Sequence, residues 1–187
     1  MNNQKKNNWY LFLIILFIVL FDQVTKTWAF LNLQKQDSFS GLRDVIIIKD
    51  IFRFTYVENP GIAFGIRIGN ELFLTLFATI ACLALFVLIY KSTLYSEPYR
   101  YAIGIILGGA IGNLIDRFIY GKVIDFIYLE IIDWPVFNVA DIAVTIGMLF
   151  GIIQIFIASE TSVVAEAEDE KVVWIDGEKI PSDEVIR

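Results

Sequence analysis

Residues 101–120 read YAIGIILGGAIGNLIDRFIY. Twenty residues are enough to cross the ~30 Å hydrocarbon core of a bilayer as a helix. Gly104, Gly108 and Gly112 recur every fourth residue and so share one helix face. Small residues on such a face let membrane helices approach closely, and Gly109 adds local backbone freedom. Toward its end the stretch turns polar, with Asn113, Asp116 and Arg117. A carboxylate at the centre of a membrane helix costs roughly 2.5–3.5 kcal/mol on insertion scales. Asp116 is therefore expected to face a polar interior. It can be neutralised by Arg117, or Arg117 can instead bind a backbone carbonyl or a lipid phosphate.

Three further apolar stretches flank this one: Trp9–Leu31, Leu72–Tyr90 and Phe137–Ala158. With 57% hydrophobic residues and a mean hydropathy of +0.63, the chain is too apolar for an ordinary soluble domain. The expectation is an all-α membrane protein of four transmembrane helices. The first stretch follows Lys5 and Lys6 as a signal peptide would. It is too long for one, carries Asp22 and Lys26, and lacks a small-residue cleavage site, so it reads as a retained span.

The net charge of −6 is unevenly placed. Residues 1–158 hold 12 acidic and 12 basic residues, whereas 159–187 hold 9 and 3. The chain therefore divides into a membrane domain, 1–158, and an acidic tail, 159–187. The tail reads as a solvated appendage, with a small hairpin over Lys171–Ile180 as the other reading. There is no basic surface to suggest a nucleic-acid partner. Cys82, the single cysteine, lies in an apolar stretch and reads as a packing residue.

Four spans place both termini on one side. Lys5, Lys6, Lys91 and Arg100 favour a cytoplasmic location for that side, although the opposite side also carries basic residues. Residues 32–71 form the one long connection, an extracytoplasmic β-rich insertion. Asp44–Lys49 and Phe52–Val57 are rich in β-branched and aromatic residues and read as two short strands, followed by a turn at Asn59-Pro60-Gly61. Strands cannot lie open in hydrocarbon, so this segment belongs at the interface or beyond it.

This topology gathers the polar residues. The first and third spans both run outward, Asp22 lies late in the first, and Asp116 lies roughly 22 Å along the third at 1.5 Å per residue. Asp125 follows in the next connection, and Asn138 and Asp141 open the fourth span. Hence Asp22, Lys26, Asn59, Gly61, Asn113, Asp116, Arg117, Asp125, Asn138 and Asp141 converge at one membrane face, whichever way the protein is inserted. Asp22 and Lys26, one helical turn apart, can pair. Glu130 and Asp133 read as solvated loop charges.

The chain contains no histidine. Ser-His, Cys-His and His-rich zinc chemistry are thereby disfavoured, and neither a metal nor a cofactor is expected. Acid–base work near neutral pH falls to carboxylates tuned by burial and by one another. Asp125 and Asp141 come from elements that meet at the same face, so a proton-sharing pair that activates water is feasible. A proton-coupled transporter or channel and a non-catalytic assembly protein with a buried polar staple remain alternatives on the pattern alone.

Five ordered motifs narrow the choice: Phe21-Asp22-Gln23-Val24-Thr25-Lys26, Glu58-Asn59-Pro60-Gly61-Ile62-Ala63-Phe64, Gly108 to Arg117, Val123-Ile124-Asp125-Phe126 and Phe137-Asn138-Val139-Ala140-Asp141. Together they resemble the lipoprotein signal peptidases (signal peptidase II), bacterial membrane aspartyl proteases, over residues 10 to 158. The resemblance implies four spans with a small extracytoplasmic β-structure, and cleavage of diacylglyceryl-modified prolipoproteins before the lipidated cysteine. It implies that Asp125 and Asp141 are the catalytic pair. Asp22, Lys26, Asn59, Asn113, Asp116, Arg117 and Asn138 would support the site or bind substrate, with Asp116 the rival for a catalytic role. The expected protein is a monomer in the bacterial inner membrane, in contact with lipids, with residues 32–71 as a clamp or lid over the scissile peptide. The Asp125–Asp141 connection is somewhat short for the family, and the tail lies outside the resemblance.

Overall fold

The structure, a computed structural model, describes residues 8–34, 44–61, 70–91, 97–169, 172–175 and 178–181. Four long helices appear where the apolar stretches lie: α1 (Asn8–Leu33), α2 (Glu71–Lys91), α3 (Glu97–Tyr120) and α4 (Val139–Asp169). All four are long and apolar enough to span a membrane. The first three exceed the expected spans by only a few residues. The fourth runs on to Asp169, well past Ala158.

The bundle is built around α3, which packs against each of the other three helices. Its glycines explain how. A Cβ on Gly104 would collide with Leu11, and one on Gly108 would lie 3.1 Å from the Ile18 side chain. Gly104 and Gly108 therefore seat α1. Gly109, on another face, lies against the Ala140 carbonyl and Val144 of α4, so its value is close approach rather than backbone freedom. The large apolar side chains point the other way. Phe12, Phe17 and Leu20 of α1, Leu76, Ile80 and Phe86 of α2, and Ile146, Leu149 and Phe156 of α4 are all exposed. Such an inside-out distribution suits a protein whose solvent is lipid.

The β-structure is a three-stranded antiparallel sheet in the order β1 (Val45–Ile48), β2 (Phe52–Asn59) and β3 (Val123–Leu129). The two strands expected in the long connection are present, with Asn59 closing β2 rather than beginning the turn. The third strand was not expected. The sequence reading places residues 123–129 in a short connection, yet Val-Ile-Asp-Phe-Ile-Tyr-Leu is a β-branched and aromatic run that pairs along β2. Asn59 stands opposite Val123, and Val57 opposite Asp125. Beneath the sheet, Tyr56, Ile124 and Phe126 pack on Ala29 and Leu33 of α1, and Trp28 lies edge-on to Phe54 at 5.4 Å.

In the tail, β4 (Val172–Ile175) pairs antiparallel with β5 (Glu178–Pro181), in keeping with the hairpin reading. Its turn at 176–177 lies outside the described residues, as do 35–43 and 62–69 of the expected clamp.

Candidate active site

Asn138 precedes α4 and caps it. Its Oδ1 accepts from the Asp141 N–H at 3.0 Å, while the Asn138 N–H donates to Asp141 Oδ2 at 3.1 Å. This reciprocal pair is a capping box, which satisfies orphan donors at the helix start. The arrangement fixes Asp141 in the first turn of α4, where the helix dipole favours a carboxylate. The same Asn138 donates its amide to Asp125 Oδ1 at 2.6 Å. One fully buried side chain therefore links both aspartates.

Each aspartate has a second amide partner. Asn59 at the end of β2 donates to Asp125 Oδ2 at 3.0 Å, and Asn113 of α3 donates to Asp141 Oδ1 at 2.8 Å. Asn59 is itself held, because its Oδ1 accepts the Gly61 N–H at 2.9 Å. Arg117 donates to the Gly61 carbonyl at 3.2 Å and to the Asn113 carbonyl at 3.4 Å. It therefore takes backbone carbonyls, one of the three roles open to it, and is not paired with Asp116.

Asp116 pairs with α1 instead. Lys26 Nζ lies 2.8 Å from Asp22 Oδ2 and 2.9 Å from Asp116 Oδ2, and donates to Asn113 Oδ1 at 2.8 Å. All three ammonium donors are thus used, on a side chain that is 2% exposed. Asp22 Oδ1 accepts the Ala140 N–H at 2.8 Å, and Asp116 Oδ2 accepts the Ile124 N–H at 3.0 Å. The expected Asp22–Lys26 pair is therefore present and welds α1, α3, β3 and α4 together. Gln23 belongs here too, donating to Asp116 Oδ1 at 3.0 Å and to the Gly112 carbonyl at 3.1 Å. Sequence reasoning left it out of the site. Its place one residue after Asp22 was the available signal.

Every polar residue expected at one membrane face is found in this connected network. Asp125 is 2% exposed. Burial, and then the charge of Asp141, raise its carboxyl to about 7, against the hydrogen bonds of Asn59 and Asn138 and the charge of Lys26. A carboxyl poised there can give or take a proton near neutral pH. Beside it opens a cavity of about 540 Å³. Asn59, Asn113, Arg117, Asp125 and Asp141 line its polar end, and Phe77, Ala78, Ala81, Ala110, Val144 and Met148 line its apolar walls. Among the described residues no cluster of His, Cys, Asp or Glu is placed to hold a metal ion.

Four apolar helices, three of which (α2, α3 and α4) wall a carboxylate-lined cavity, define a polytopic membrane protein equipped for acid–base chemistry. The family model described as "Signal peptidase (SPase) II" matches residues 14–157. A lipoprotein signal peptidase of Clostridium tetani is 36% identical over 146 residues, covering 76% of this chain and 90% of that protein. One from Halothermothrix orenii is 37% identical over 136 residues, covering 73% and 88%. A solved bacterial membrane enzyme superposes with a TM-score of 0.71 at 33% identity, covering 81% of this chain and 90% of that one. The chain belongs to the signal peptidase II family. It is a peptidase of a bacterial membrane that crosses the bilayer several times.

Proposed function

We propose that this chain removes signal peptides from diacylglyceryl-modified prolipoproteins by aspartic proteolysis, with Asp125 and Asp141 as the catalytic pair. The observation that carries this reading is Asn138, which donates to Asp125 and is reciprocally bonded to Asp141, two carboxyls that both line the cavity. Two neighbouring carboxyls cannot both ionise easily, so the pair holds one proton at working pH. The ionised member takes a proton from a water as that water attacks the scissile carbonyl, and the protonated member donates to the carbonyl oxygen. The tetrahedral intermediate then collapses: the first carboxyl passes the proton it took from water to the amide nitrogen, the second takes one back from the hydroxyl as the carbonyl re-forms, and the C–N bond breaks.

Asn59, Asn113 and Asn138 hold the carboxyls in place, and Arg117 with Gly61 orients the substrate backbone. Asp22, Lys26 and Asp116 form the support. All three are saturated by partners within the protein, which makes Asp116 a scaffold residue rather than the rival base. The apolar walls suit a substrate that arrives from lipid between α2 and α4 with its peptide bond at the polar end. Residues 1–158 then form the peptidase domain, with the site near the extracytoplasmic face. Both termini and the acidic tail 159–187 lie in the cytoplasm.

An ion pathway would need polar groups through the whole thickness of the membrane. The deeper cavity walls are alanines and Met148 instead, so the transporter reading is not favoured. The test is cleavage of a lipidated precursor by the Asp125→Asn and Asp141→Asn variants in membranes. Each is expected to be inactive yet correctly inserted, and full cleavage by both overturns the assignment.

A further inference from the structure

The two clusters of the site meet in a single side chain. Asn113 Oδ1 accepts from Lys26 Nζ at 2.8 Å and from Asn138 Nδ2 at 3.1 Å. With its carbonyl oxygen claimed by those two donors, the Asn113 amide has one orientation, and its NH₂ must point away from Lys26. It points to Asp141 Oδ1, at 2.8 Å. An amide N–H can only donate, so this contact favours a carboxylate that accepts. Asp141 Oδ2 likewise accepts the backbone N–H of Asn138. Both oxygens of Asp141 are therefore met by donors, as are both of Asp125; what Asp141 has and Asp125 lacks is its place at the positive end of a long helix.

Resting on the aspartic reading above, we propose that Lys26 is a positioning residue for the catalytic pair. Acting through Asn113, it holds Asp141 as the ionised member and leaves the shared proton on Asp125. Asp141 is then the base that takes the proton from water, and Asp125 the acid that donates to the carbonyl oxygen.

The surroundings agree. From α1, the charged groups facing the pair are Asp22 and Lys26, which are bonded to each other. From α3 they are Asp116, bonded to Lys26, and Arg117, bonded to backbone carbonyls. From β2 and from the turn before β3, Glu58 and Lys122 are paired and partly exposed. α2 contributes only Leu74, Phe77, Ala78 and Ala81 to the cavity wall. Among the described residues, Lys26 is thus the one buried cation joined to the pair through a side chain. Asp125, with its carboxyl raised to about 7 chiefly by burial, is the better proton holder.

The experiment is the pH dependence of precursor cleavage by the full-length enzyme in vesicles, wild type against Lys26→Met. Removing the ammonium leaves Asn138 as the one donor holding the Asn113 oxygen and so loosens the amide. The acid limb of kcat is then expected to move to higher pH by about one unit, the size of one lost charge-assisted hydrogen bond. If Lys26→Met does not accumulate in the membrane, Asn113→Asp replaces it, since it keeps the acceptor for Lys26 but removes the donor to Asp141. The same upward movement is expected. Loss of rate by an equal factor at every pH, with the limb unmoved, overturns the proposal and leaves Lys26 a structural residue.

Isotope-edited infrared spectra of aspartate-labelled enzyme in mildly acid buffer test the proton's place. A protonated-carboxyl band is expected to vanish in Asp125→Asn and to survive in Asp141→Asn, and the reverse pattern overturns the assignment. Failure of the underlying aspartic reading looks different, because both aspartate variants would then still cleave.

Discussion

Asn138 donates its side-chain amide to Asp125 across 2.6 Å and so ties the start of α4 to the middle of β3. The residue has two separable duties, capping a helix and holding a carboxyl. Asn138→Ala removes both. It is expected to cost about 1 kcal/mol as a lost cap and to slow cleavage by roughly 100-fold through misplacement of Asp125. Asn138→Asp keeps the cap but sets a carboxylate against Asp125. It should be equally slow and should unfold at a lower temperature than Asn138→Ala, because the fully buried carboxylate oxygen in place of the amide nitrogen faces only acceptors. Thermal unfolding in detergent and single-turnover cleavage distinguish the two.

Asp125 gives a pH dependence of definite sign. Its folded-state carboxyl, raised to about 7, holds a proton more tightly than the unfolded chain does. The contribution of Asp125 to stability is therefore greatest at low pH and falls as pH rises from the ordinary carboxylate range through 7. The loss can reach about 4 kcal/mol. Asp125→Asn is expected to flatten that decline while abolishing cleavage, as read by melting temperature against pH.

Gly112 sits where a Cβ would lie 2.5 Å from Asp22 Oδ2. Gly112→Ala must therefore push Asp22 off Lys26 or force α1 away from α3. A loss of about 1–3 kcal/mol is expected from this overpacking, together with reduced activity. Gly151→Ala, whose Cβ would meet Ala102 at an ordinary 3.6 Å, is the matched control and should be nearly silent in both assays.

Arg117 reaches Gly61 with one nitrogen of its fork and Asn113 with another. Lysine keeps the charge but cannot reproduce two directed bonds. Arg117→Lys is expected to lower kcat/KM by about tenfold with little change in folding. Steady-state kinetics beside a melting curve check this.

Glu58 and Lys122 form an ion pair with both side chains 35% exposed. Exposed pairs contribute about 0–1 kcal/mol. Lys122→Met is expected to leave cleavage and stability almost unchanged, and a large loss of either would show that this end of the sheet takes part in the site.

Much of the site was legible from topology. Asp22, Lys26, Asn113, Asp116, Asn138 and Asp141 all sit near the ends of apolar runs, and run length fixes which ends share a membrane face. The partners were harder to read. Asp116 stands beside Arg117 in sequence, yet its cation is Lys26, because adjacent residues on a helix point about 100° apart and only one of them faces α1. β3 was hidden for a similar reason. Seven residues between two spans look like a connection, and only the presence of β2 alongside turns Val123–Leu129 into a strand.

The sequence by itself determined the four spans, the shared face and the absence of histidine chemistry, because hydrophobic length and residue type act locally. Tertiary structure alone decided which donor meets which oxygen. Asn59 comes to Asp125 from 66 residues away, and Asn113 to Asp141 from 28. Hydrogen bonds form within about 3 Å, so helix packing and strand register set them to a tolerance that no spacing along the chain can carry.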